Sequence, residues 1–228
     1  MTCEEEVFKA ADRALARVDR LKTFLLHAST SPPGLPQNAY SQEIRASCII
    51  FSMAELESLV TYVIRSVNGV INDRAHVVSD IKPCLRSIAC HSVFDSLRTV
   101  ADSQKVWSSR QLVTTLESST DILELPVTYG TAQPPLDGRT LTPGHFIRIW
   151  SIYGLDGTWY PTISCAMTLT KLSGARNDLA HGNEPFNIIF SQPGLDVKSI
   201  ERYMDEMCML YIHFSNSFVD YIENSRYI

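Results

Sequence analysis

Within the seven residues Arg176-Asn177-Asp178-Leu179-Ala180-His181-Gly182 the chain places a guanidinium, an amide and an imidazole. Those are the groups that cleavage of RNA without a metal demands. The neighbouring 2′-hydroxyl is the nucleophile, so the protein supplies a proton acceptor, a proton donor and positive charge for the phosphorane oxygens. Histidine titrates near neutral pH and serves as base or acid, and a guanidinium forks onto phosphate. Gly182, with Asn183 and Pro185 behind it, marks the end of a helix. On that helix Asn177 and His181 are four apart and share a face, whereas Arg176 is offset from His181 by five residues, or about 140°. One helix does not converge the two; two such helices across a two-fold axis bring both Arg and both His around one phosphate. The carbonyl end of a helix attracts cations, which suits His181 as a proton donor or phosphate contact. The same residues also have a plain reading, in which Arg176 makes a surface ion pair, His181 bonds the last helix carbonyls and Gly182 is a C-cap.

The elements that must position these groups read as helices. Thr2 followed by Glu5 predicts a capping box, and Val7, Ala11, Ala14, Val18, Leu21 and Leu25 then form one apolar stripe on a helix ending near Ser29. The Pro-rich stretch 31–36 closes it. A second helix is expected from near Ser41 to Gly69, and two shorter ones near 82–100 and 103–118, with Pro83 in the first turn of the earlier one. Between residues 126 and 161 fall five of the 11 prolines and five of the 10 glycines, so this is a long connection. Inside it Thr142-Pro143 starts a short helix that Gly154 ends, with Phe146, Ile149, Trp150 and Tyr153 as its apolar face. The motif helix is expected from Thr158 or Thr162, carrying Ile163, Met167, Leu169, Leu172 and Leu179. A β-prone piece, 186–190, precedes a last long helix capped by Asp196 and rich in aromatics. The expected fold is all-α and a single domain over 1–228, with an N-terminal helix at 1–29 and a helical core at 41–225.

Twenty Lys+Arg against 25 Asp+Glu give a formal charge of −5, which excludes the global basic field that drives sequence-blind nucleic-acid binding. Any RNA contact must be local or supplied by an oligomer. Lys171, with Arg176 from two copies, would make such a local anion site. The six cysteines lack a C-x-x-C pair and read as core thiols of a reduced, cytoplasmic protein. The first residues are acidic rather than basic, and no apolar run approaches the roughly 18 residues of a membrane span, so a soluble protein is expected. No Gly-rich phosphate loop, G-x-S-x-G or H-E-x-x-H signature is present, and Cys84, Cys90 and His91 lack zinc-site spacing; no cofactor or metal is expected. His27, His76, His145 and His213 read as surface or helix-end residues.

Arg-Asn-x-x-Ala-His-Gly at the end of a helix, followed by a turn and a long final helix, resembles the HEPN family, and more narrowly its RiboL-PSP type. Arg176, Asn177 and His181 match the family motif, and Ala54-Glu55-Leu56-Glu57-Ser58-Leu59-Val60 is similar to a segment of its early long helix. The resemblance spans most of 41–225, with the Arg-His run as its specific part. It implies a helical bundle that dimerises through the motif helices and a metal-independent endoribonuclease site between protomers. It further implies a toxin or antiviral defence effector restrained by an inhibitor protein. It also implies Glu57 as an orienting partner of Arg176; the alternative is a solvated helix carboxylate. The region 70–119 and the connection before the motif helix depart from any family pattern. A non-catalytic module of the same fold, binding a partner protein or nucleotide, is the alternative function, and an unrelated helical bundle is a third reading.

Overall fold

Thr2 and Glu5 close the expected capping box, the Thr2 hydroxyl accepting the Glu5 amide at 3.2 Å and the Glu5 carboxylate accepting the Thr2 amide at 2.9 Å. They begin α1 (Cys3–Leu26) in a computed structural model that describes residues 2–29, 36–94, 103–128, 135–182 and 184–228. Seven further helices follow among the described residues with named bounds. They are α2 (Gln37–Asp73), α3 (Pro83–Ala89), α4 (Ser103–Thr115), α5 (Pro143–Tyr153), α6 (Ile163–His181), α7 (Phe186–Ile189) and α8 (Val197–Glu223). The fold is all-α: the described residues contain no strand, only an isolated antiparallel bridge between Val77 and Ile122.

At 37 residues α2 is about 55 Å long and forms the axis of the bundle. It packs against α1, α6, α7 and α8, which explains why residues on several of its faces, from Ile44 and Ile49 to Val63 and Ile71, are buried. It outruns the expected 41–69 at both ends, starting directly after Pro36 and passing through Gly69 without breaking. By length and composition α2 is apolar enough to cross a membrane, its best window having a mean hydropathy of 1.5, and 50% of that window is buried inside the protein. The alanines of α1 bring it close to α2, and exposed ion pairs from Arg17 to Glu55 and from Lys22 to Asp205 tie its outer face to α2 and α8.

The short helix α5 obeys its sequence signals, with Pro143 in the first turn and Gly154 at φ 63° ending it. Its aromatic face forms a layer with α8, in which Phe214 meets Phe146, Trp150 and Phe218 at ring-centroid distances of 5.7, 6.0 and 4.9 Å. The Tyr153 hydroxyl donates to Asn68 Oδ1 at 2.8 Å, and Asn68 Nδ2 donates to the Pro126 carbonyl at 2.9 Å, so α2 also pins the start of the long connection.

Three expectations need correction. Ile163 and Met167, read as part of the buried stripe of the motif helix, are 70% and 68% exposed. The β-prone piece is the helical turn α7, because Pro185 opens a turn and no strand is there to pair with it. The expected helix at 82–100 is α3, a turn at Cys90, and helical residues 91–94; the rest of it lies outside the described residues.

Candidate functional site

The motif helix α6 is set by its ends. Thr162 caps it by accepting the Cys165 amide at 3.4 Å, and Gly182 at φ 61° stops it, a conformation that L side chains adopt at a cost. The buried side of α6 is made by Cys165, Thr168, Leu169, Leu172, Ser173, Ala175 and Leu179. This face fixes where the motif residues point. Arg176 lies within the angular span of that face and is half-buried, whereas His181, about 140° further round, is exposed.

Arg176 makes no hydrogen bond or ion pair among the described residues, but its charge acts on Glu57 of α2. Burial raises the Glu57 carboxyl above the ordinary value, and Arg176, the Leu141 amide and His145 pull it back. Glu57 Oε1 is buried without a hydrogen-bond partner. Glu57 and Arg176 are therefore brought together, while Glu55, two residues away, faces α1 and pairs with Arg17. Because the folded carboxyl holds its proton to higher pH than the unfolded one, its stabilising contribution is full in acid and is lost as pH rises through the raised value. The variant Glu57→Gln is accordingly expected to melt with the wild type in acid and above it at neutral pH. Thermal unfolding followed by circular dichroism across that range checks the sign.

Asn177 is engaged from an unexpected direction: its Oδ1 accepts the Thr140 hydroxyl at 2.8 Å. With that carbonyl taken, the amide nitrogen is the group left to donate. Thr140 belongs to a strap, 137–142, whose ends are fixed by His145. The His145 ring, 7% exposed, accepts the Thr142 amide at Nδ1 (3.2 Å), which places its proton on Nε2, 3.0 Å from Asp137 Oδ1. That hydrogen bond holds the Asp137 carboxyl below its usual range, with help from the Arg139 amide and the Arg148 charge. Expected at the surface or a helix end, His145 is at a helix end but buried. The Thr142-to-His145 spacing is that of a capping box, with His in place of Glu or Gln; nothing in the sequence marks Asp137 or Thr140. The variant Thr140→Val, which keeps the shape and removes the donor, is expected to cost about 1 kcal/mol in urea unfolding.

Lys171 is ten residues from His181, about 15 Å along the axis, and lies half-buried in a groove between α6 and α8 rather than beside the motif. No group of three or more metal-ligating side chains occurs among the described residues, and His91 Nδ1 lies 2.9 Å from the Ile88 carbonyl at its own helix end. The arrangement thus offers an exposed imidazole, a half-buried guanidinium next to a carboxylate, and an amide held by the strap. This is equipment for proton transfer and anion contact. Comparison with protein-family models, with curated proteins and with solved structures finds no match for the chain.

Proposed function

We propose that the protein is a metal-independent endoribonuclease of the HEPN type that acts as a homodimer, with His181 as general acid/base, Arg176 on the scissile phosphate and Asn177 donating to the imidazole or a phosphate oxygen. The observation that carries this reading is the condition of His181. It stands exposed at the terminus of α6 and makes no hydrogen bond among the described residues, five residues from a guanidinium that no carboxylate of those residues contacts as an ion pair. The 2′-oxygen attacks phosphorus, the P–O5′ bond breaks, and the leaving 5′-oxygen takes a proton, giving a 2′,3′-cyclic phosphate and a 5′-hydroxyl. The proton lost by the 2′-hydroxyl goes to the base and the cyclisation needs no other reactant.

Because Arg176 turns inward and His181 outward, one α6 is half of a site. Exposed Ile163 at the start of α6 and exposed Ala180 and His181 at its end lie outside the groove that α6 forms with α8, and are where a second copy would pack. An activity of this kind fits a toxin or defence effector restrained by an inhibitor protein. The test is incubation of the purified protein with total RNA in excess EDTA, followed by analysis of the product ends. Cleavage that EDTA abolishes, or products bearing 5′-phosphates, would overturn the assignment.

The bond from Thr140 to Asn177 favours a second reading, in which the motif is structural and the protein is a non-catalytic module that binds a partner protein or nucleotide. It is distinguished by association or folding that weakens in Arg176→Ala and His181→Ala while no RNA is cut.

A further inference from the structure

Between α6 and α8 lies an open groove of about 700 Å³, floored by α6 from Ser164 to Asp178 and walled by Arg202, Tyr203 and Glu206 of α8. Its volume is in the range of small-molecule sites. Two cations face it, Lys171 and Arg202, and neither forms an ion pair among the described residues; the Arg202 guanidinium instead lies 5.2 Å from the Tyr203 ring centre. Of its two carboxylates, Glu206 accepts the Thr168 hydroxyl, whereas Asp178 has no hydrogen bond among the described residues.

Gly174 is a second, independent observation. It stands in the middle of α6, where glycine is less favourable than alanine, and a Cβ added there would meet nothing within 4 Å. No packing inside the chain accounts for it. The space it leaves open is the groove itself. The groove also ends next to the motif, since Asp178 is three residues before His181, a rise of about 4.5 Å.

We propose that this groove is a nucleotide subsite for single-stranded RNA, in which Lys171 and Arg202 hold a backbone phosphate and Asp178 accepts the amino edge of a base close to the scissile bond. It deepens the ribonuclease reading and rests on it for the place of the bond that breaks. The chemistry of each group is matched: the two cations offer donors to phosphate oxygens, and an unpartnered carboxylate takes the exocyclic amine of cytosine and has no such donor from uracil. Lys171 and Asp178 are two helical turns apart, about 10.5 Å along one side of α6, so phosphate and base are read at separate points. The balance of two cations against two carboxylates makes this a reader of one nucleotide rather than a basic track.

The test uses fluorescein-labelled 2′-O-methyl decacytidylate and decauridylate, which lack the attacking hydroxyl and bind without being cut. The full chain is expected to prefer the cytidine oligomer. Gly174→Leu, which fills the groove, and the double variant Lys171→Ala/Arg202→Ala are each expected to weaken binding of both oligomers by about ten-fold or more. Asp178→Asn is expected to narrow the preference for cytidine. Light scattering and far-UV circular dichroism accompany each variant, and the double variant carries the test if Gly174→Leu does not fold.

Absence of binding by the wild type, or equal binding by wild type and groove variants, overturns the proposal. So does a changed oligomeric mass in those variants, which would give the groove to a second copy of the chain. The two levels separate on ribo-oligomers of the same sequences. Binding without cleavage keeps the groove and removes the ribonuclease reading; cleavage with groove variants equal to wild type removes the groove and keeps the ribonuclease.

Discussion

The variant His181→Ala is expected to lose RNA cleavage by about 10²–10⁴-fold, the usual contribution of a positioned acid or base, with its stability within about 0.5 kcal/mol of the wild type. The unchanged stability follows from its exposure: among the described residues His181 makes no hydrogen bond, so its removal takes little from the bundle. Arg176→Ala is the informative contrast, because it removes the nearby positive charge from the half-buried Glu57 carboxyl and should lower stability as well as activity. Single-turnover cleavage and thermal unfolding on the two variants separate the roles. A His181→Ala protein that cuts at the wild-type rate would sink the catalytic assignment.

Phe214→Ala is expected to cost about 3–5 kcal/mol, the range for emptying a fully buried aromatic site. Phe214 has no exposed surface and is the residue through which α8 meets both Phe146 and Trp150 of α5. Four-residue spacing also places Phe218 against it. The loss should appear in urea unfolding as a lower midpoint with little change of slope. A cost below about 1 kcal/mol would show that the aromatic layer collapses around the gap. Exposed Phe51 provides the control, with an expected change within about 0.5 kcal/mol on replacement by alanine.

The ends of α5 and α6 and the start of α8 were legible because those signals are local, whereas α2 ran past both of its expected ends. Thr162 and Gly182 bracket α6, Pro143 and Gly154 bracket α5, and Asp196 opens α8, each through a backbone requirement of its own residue. The exposure of Ile163 and Met167 was not legible, since helical spacing says which residues share a face but not whether a neighbour covers it. Most of the site's surroundings were hidden for a related reason. Thr140 and Asn177 are separated by 37 positions, and no periodicity links a strap residue to a helix that follows it. Glu57 could be named only through the resemblance of its helix; that burial raises its carboxyl and that Leu141 and His145 act on it are consequences of tertiary packing.

The 137–142 strap is held by Asp137 on His145 and Arg148, the Thr142 amide on the same ring, the Thr140 hydroxyl on Asn177, the Leu141 amide on Glu57 and the buried Leu141 side chain. The strap is therefore part of the packed bundle, with Leu141 and Thr140 only 3% and 7% exposed. Through Thr140 it engages the Asn177 amide of the motif, and through the Leu141 amide it acts on Glu57. One short segment thus sets both the amide of the motif and the carboxyl beside its guanidinium, so a single substitution there reaches two groups that stand 120 positions apart in the chain.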